Sequence, residues 1–150
     1  MTIYIGADHA GYKMKELLKR RLKQWRHTVI DVGASRLIAD DDYPDYGTAV
    51  AHAVSRGNGR GILICANGVG MCVVANKVSG VRAALGWSEA LARTARADDD
   101  TNVLCLPARL LTLDPVESIL KMWLKTKFSG AARHKRRLKK VAAFDRRRAA

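Results

Sequence analysis

Short apolar runs, each followed by a segment with helical spacing, recur along the whole chain and leave few folds open to it. Residues 3–7, 28–32, 61–65, 81–85 and 102–106 read as strands. The run Gly61-Ile62-Leu63-Ile64-Cys65 has no polar alternation, which marks a central strand covered on both faces. Met14, Leu17, Leu18, Leu22 and Trp25 recur at helical intervals and predict one apolar helix face. Tyr46, Val50, Ala53 and Val54 predict a second, after the polar stretch Asp40-Asp41-Asp42-Tyr43-Pro44. A third helix is expected over 68–77, and a fourth from Ser88 as cap to about Ala97. Asp114-Pro115 should open a fifth, with the acid as cap and proline in the first helical position. Strands alternating with helices in this way build a parallel sheet from βαβ units. The expected architecture is therefore a three-layer α/β/α sandwich, a Rossmann-like five-stranded parallel sheet. A basic helix at about 131–148 follows it, with Leu138 and Val141 on one side.

A chain of 150 residues suits one domain, 1–150, with a real core. No apolar run approaches the roughly 18 residues that span a membrane, and the start of the sequence lacks the basic and apolar regions of a signal peptide. Cys65, Cys72 and Cys105 are odd in number, sit in apolar segments and lack metal-ligand spacing. Reduced thiols and a cytoplasmic location are expected from that, with no metal site. The net charge of +13 is uneven: residues 130–150 hold nine Lys/Arg against Asp145 alone, which supplies +8 of it. Such a segment could grip phosphate, on a small substrate or on nucleic acid, or could simply be a solvated helix.

In a doubly wound sheet, ligands sit beyond the carboxyl ends of the strands. The segments there are Asp8-His9, Gly33 to Arg36, Cys65 to Gly70, Trp87-Ser88 and Pro107 to Arg109. In Cys65-Ala66-Asn67-Gly68-Val69-Gly70, glycines let backbone N–H groups approach an anion, and a helix start favours a thiolate. The competing reading of Cys65 is a small core hydrophobe; for Cys72 and Cys105 that packing reading prevails. Asp8 and His9 could handle hydroxyls and phosphate; the competing reading of Asp8 is a cap for the next helix. Arg133 and Arg137, one helical turn apart, could reach a single phosphate or belong to a generic basic face.

Taken together, several ordered segments resemble the type-B ribose-5-phosphate isomerases, a family that includes galactose-6-phosphate isomerase subunits. They are Gly6-Ala7-Asp8-His9-Ala10-Gly11, Asp42-Tyr43-Pro44, Ile62-Leu63-Ile64-Cys65 with Gly68-Val69-Gly70, Ala75-Asn76-Lys77, Val81-Arg82-Ala83, Asp100-Thr101-Asn102-Val103-Leu104 and Arg133-His134. The resemblance implies a Rossmann-like homodimer, or dimer of dimers, sharing its active sites across the interface and using no metal or organic cofactor. It implies Cys65 as the base that moves a proton between C1 and C2 through a cis-enediolate. The loop Ala66, Asn67, Gly68, Val69 and Gly70 would hold the oxyanion. Asp8 would bind sugar hydroxyls, and His9, Arg133 and Arg137 the phosphate, with Arg36 and Arg109 as helpers. The partner implied is a small phosphorylated sugar; nucleic acid becomes the secondary reading, and Arg146, Arg147 and Arg148 are left without a role.

The chain departs from the family where it reads Asp98-Asp99-Asp100. Asp98 replaces the histidine that opens the furanose ring, and Asp99 replaces an asparagine that steadies the enediolate. A carboxylate beside a developing anion is repulsive unless protonated or turned away. Asn67 replaces a threonine and Ala66 a glycine. Three readings follow: an isomerase of ribose 5-phosphate, with Asp98 or another group opening the ring; an isomerase of a tetrose 4-phosphate, which cannot close a furanose; or a non-catalytic binder of sugar phosphates or other anions.

Overall fold

The computed structural model describes residues 1–57 and 59–148, and side chains up to residue 145; Arg146, Arg147 and Arg148 therefore lie outside the described side chains. The elements run β1 (Thr2–Ala7), α1 (Tyr12–Gln24), β2 (Thr28–Asp31), α2 (Tyr43–Arg56), β3 (Arg60–Cys65) and α3 (Val69–Ala75). They continue through β4 (Ala83–Leu85), α4 (Glu89–Ala97), β5 (Val103–Pro107), α5 (Leu113–Lys125) and α6 (Ala132–Arg148). The five strands form one sheet in the order β2-β1-β3-β5-β4, and every pairing is parallel.

Alternation along the strands divides the interior into two cores. Ile62 and Ile64 face α1, α4 and α5, where they meet Leu18, Leu22, Ala92, Leu120 and Trp123. Leu63 and Cys65 face α2 and α3, beside Val50, Val54, Met71 and Cys105. Trp123 anchors the first core; its indole N–H donates to Thr101 Oγ1 at 2.9 Å, so the one polar atom of that ring is satisfied. Among the described residues neither core includes an α6 side chain, and Arg133, Lys135, Arg136, Arg137, Lys139 and Lys140 of that helix are exposed.

Three expectations need correction. Leu17 is 43% exposed, while Lys15 is the fully buried neighbour. Its ammonium meets Asp31 Oδ2 at 2.8 Å and the carbonyl of Ala34, so an ion pair and a backbone acceptor make burial of the charge tolerable. The cap of α5 is Thr112 rather than Asp114, because extended backbone at Thr112 lets the helix begin at Leu113. Finally, α3 and β4 are shorter than the sequence suggests. Asn76 and Asn102 take the backbone N–H groups of Ala83 and Arg82 at 2.9 and 2.8 Å, bending the chain where more strand was expected. By contrast Ser88 caps α4 as read, accepting from Leu91 N at 3.2 Å.

Candidate active site

The chain leaves β1 toward β2 on one side and returns to β3 on the other, so the sheet's switch point lies between β1 and β3. Asp8 and His9 follow β1 there, and Cys65 ends β3. Cys65 is 4% exposed, and its Sγ accepts the Gly68 N–H at 3.2 Å. That contact depends on Gly68, whose φ of +77° is left-handed and costs an L residue energy. Asn67 Oδ1 accepts the Val69 N–H at 3.0 Å, so the Asn67 side chain braces the loop and leaves Nδ2 as its donating end. The Gly70 Cα lies against the Tyr43 ring: an added Cβ would stand 2.7 Å from it. On the other flank, Ala108 N and Arg109 N donate to the carbonyls of Cys65 and Ala66 at 2.9 and 3.0 Å. The backbone of Arg109 is thus stitched to the cysteine loop while its side chain is exposed.

Asp8 is buried, its Oδ1 accepting the Gly11 N–H at 3.0 Å. Burial pushes its carboxyl above the usual carboxylate range, against the pull of that N–H. His9 is held by Asp41: one carboxylate oxygen accepts both the backbone N–H and the ring Nδ1–H, each at 2.8 Å. The hydrogen bond to Asp41 raises the imidazole pKa, which favours the cationic form that a phosphate needs. Burial would push the Asp41 carboxyl up, but the two His9 hydrogen bonds hold it below its usual range. Sequence reasoning missed Asp41, since nothing in Asp40-Asp41-Asp42 shows which acid reaches a residue so far back in the chain. The loop after β2 is tied to α1 by Lys15 and by Tyr12 Oη, which donates to the Ser35 carbonyl at 3.1 Å; Arg36 stands exposed on it.

Asp98, Asp99, Arg133 and Arg137 are not part of this cluster. Asp98 caps the C-terminus of α4, which runs back toward the amino ends of the strands. Residues 98–102 lead directly into β5, where the Asn102 carbonyl accepts from Gly61 N at 2.8 Å. The first turn of α6 joins them there: His134 Nδ1 lies 3.6 Å from Asp98 Oδ1, and Arg133 Nε donates to His134 Nε2 at 3.0 Å. Asp99, Arg133 and Arg137 are exposed. The length of β3, about 17 Å for its residues at the usual strand rise, separates this group from Cys65. Within one chain the predicted site is therefore split between two ends of the sheet.

The other thiols pack as expected. Cys72 Sγ donates to the Ala83 carbonyl at 3.3 Å, and contact with Cys105 lowers its pKa. Cys105 is buried, which pushes its own thiol well up. Among the described residues, no group of three or more His, Cys, Asp and Glu side chains is placed to hold a metal ion, and no helix is long and apolar enough to cross a membrane. A cavity of about 460 Å³ lined by Trp25, His27, Lys121, Leu124 and Lys125 lies between the C-terminal ends of α1 and α5, away from Cys65. It shares no residue with either half of the predicted site.

Comparison with known proteins places these features in a family. The family model described as Ribose/Galactose Isomerase matches residues 3–141. Ribose-5-phosphate isomerase B of Mycobacterium tuberculosis is 39% identical over 147 residues, 97% of this chain and 91% of that protein. The crystal structure of ribose-5-phosphate isomerase B from Mycoplasma genitalium with bound ribulose-5-phosphate superposes with a TM-score of 0.93 at 41% identity, covering 97% of this chain and 96% of that one. The corresponding structure from Clostridium thermocellum gives a TM-score of 0.94 at 40% identity, covering 98% and 99%.

Proposed function

Because the chain belongs to the ribose/galactose isomerase family, we propose that it interconverts the aldose and ketose forms of a small phosphorylated sugar in the cytoplasm, with ribose 5-phosphate and ribulose 5-phosphate as the leading pair. The observation that carries the proposal is Cys65 at the switch point with the Gly68 N–H on its sulfur at 3.2 Å. That N–H fixes the sulfur at the mouth of the loop, where a thiolate would act as the base. The thiolate takes the proton from C2 of the open aldose and returns it to C1, through a cis-enediolate whose oxygens the loop 66–70 faces. Asp8 serves the sugar hydroxyls; His9, Arg133 and Arg137 serve the phosphate, with Arg36 and Arg109 at the margin. Asp98 and Asp99 take the positions of ring opening and enediolate support.

A complete site then requires two copies of the chain. In a two-fold dimer, the amino-end group of each copy can reach the Cys65 end of the other, giving two equivalent sites. Val69 and Val73 on α3, beside the cysteine loop, and Val141 on α6, beyond the arginines, are exposed apolar side chains that such an interface would cover. A second reading, a tetrose 4-phosphate as substrate, is favoured by Asp98 itself, a carboxylate facing His134 where ring opening calls for an imidazole. Turnover of ribose 5-phosphate and erythrose 4-phosphate, measured side by side with Cys65→Ala as the blank, tests both readings. Cys65-dependent conversion of the pentose is expected. Conversion of the tetrose alone selects the second reading, and full turnover by Cys65→Ala refutes Cys65 as the base.

A further inference from the structure

His134 has no place in the reaction just described, yet it is 4% exposed and both of its ring nitrogens are engaged. Arg133 Nε approaches Nε2 at 3.0 Å. A guanidinium nitrogen has only protons to offer, so Nε2 must be the unprotonated nitrogen and the neutral ring carries its proton on Nδ1. That proton meets Ser129 Oγ at 2.8 Å, while Asp98 Oδ1 stands 3.6 Å from the same nitrogen. Ser129 is itself fixed: its N–H donates to the Ala97 carbonyl at 2.9 Å, and its Oγ accepts the Ala131 N–H at 3.3 Å. The chain of contacts thus runs from the end of α4, through Ser129 and a buried imidazole, to an exposed guanidinium.

A ring so placed is shut away from solvent and has no nitrogen left for a ligand. Its effect falls on Arg133. An arginine on a helix surface samples many rotamers, and anchoring Nε fixes the plane of the guanidinium while leaving the terminal N–H groups as a fork for phosphate. We infer that His134 is a positioning residue for Arg133: with its Nδ1–H held by Ser129 Oγ and facing the Asp98 carboxylate, its Nε2 accepts from Arg133 Nε and aims the remaining guanidinium N–H groups at the substrate phosphate. The inference rests on the reading of Arg133 as a phosphate ligand. Support of this kind, from residues that never touch the ligand, sets how well a site is preorganised.

The test compares His134→Asn with His134→Gln, measuring KM and kcat for ribose 5-phosphate and the competitive Ki of inorganic phosphate. Asparagine reaches only the place of Nδ1, whereas the glutamine Oε1 reaches that of Nε2. Loss of one hydrogen bond to a charged group should raise KM and Ki about tenfold in His134→Asn, with kcat staying within about twofold. His134→Gln should recover most of that affinity. In an Arg133→Ala background, His134→Asn should add nothing further. Ser129→Ala, which removes the acceptor of the Nδ1–H without emptying the buried space, should raise KM in the same direction by about threefold. An equal loss from His134→Asn with and without Arg133 would mean a merely structural role and overturn the inference. So would unchanged phosphate affinity in both the His134→Asn and Ser129→Ala variants while Arg133→Ala weakens binding. Unchanged affinity in Arg133→Ala would instead remove the reading on which the inference stands.

Discussion

Gly68→Ala should damage stability and chemistry together, and the structure separates the two. At φ +77° an alanine carries the left-handed penalty of roughly 1–2 kcal/mol. The added Cβ would also stand 2.6 Å from Leu85 Cδ1 and 3.3 Å from the Leu106 carbonyl carbon. The Leu85 methyl is the end of a flexible side chain and can yield; the Leu106 backbone cannot move as freely, so overpacking adds roughly 1–2 kcal/mol. A loss of about 2–4 kcal/mol in a domain of this size lowers Tm by roughly 5–15 °C. The alanine relieves its strain by turning φ toward negative values, and that rotation swings the residue-68 N–H away from Cys65 Sγ. A hydrogen bond to a charged acceptor is worth roughly 1.5–3 kcal/mol, so kcat should fall about 10- to 100-fold at temperatures where the variant remains folded. Thermal unfolding reads the first effect and steady-state kinetics the second. The rate of Cys65 alkylation by iodoacetamide, followed by peptide mapping, reads the thiolate directly and should fall with kcat. A folded Gly68→Ala protein with unchanged kcat and unchanged Cys65 alkylation would refute the role given to this N–H.

Asp41→Asn should change the pH profile. Asp41 raises the His9 pKa, so the imidazolium persists to higher pH and is lost as pH rises through that raised value. KM for the sugar phosphate should therefore climb on the alkaline side, and in Asp41→Asn the climb should begin at lower pH; a superimposable profile would dissociate Asp41 from His9. Trp123→Phe removes the donor to Thr101 Oγ1 and part of the ring under Arg60 and Arg96. It should cost roughly 2–4 kcal/mol in denaturant unfolding while leaving kcat unaltered. Asp31 is pushed up by burial but pulled below its usual range by Lys15 and Lys19. The stability it contributes is present above its ordinary pKa and is lost as pH falls through the lowered one. Lys15→Met should accordingly flatten the acid limb of the unfolding curve measured below about pH 4.

The sheet was legible because its strands are apolar runs of strand length and its helices show a different period. Those patterns, with the rule about carboxyl ends, led to Asp8, His9 and Cys65 without a structure. Where two apolar neighbours compete, as Leu17 and Leu18 do in α1, periodicity does not say which flank the sheet covers, and a lysine took the buried place beside them. Asp41 and Ser129 were hidden for another reason: Asp41 reaches His9 from a distant loop, and Ser129, though near His134 in the chain, meets it through the turn that enters α6, which no helical or strand period marks. The split of the site was available in principle. A helix joining two parallel strands must run back along the sheet, so Asp98, at the end of α4, had to lie at the amino edge, opposite Cys65.

The central claim, one site assembled from two copies around Cys65, is tested most directly by mixing two crippled proteins. Cys65→Ala and the double variant Arg133→Ala/Arg137→Ala would be purified, unfolded, refolded together and assayed on ribose 5-phosphate well below its KM. If sites are shared, hybrid dimers carry one site with both an intact Cys65 and intact arginines, and random pairing restores about a quarter of wild-type activity. A mixture no more active than the two variants assayed separately, with hybrid dimers shown to be present, would contradict a shared site.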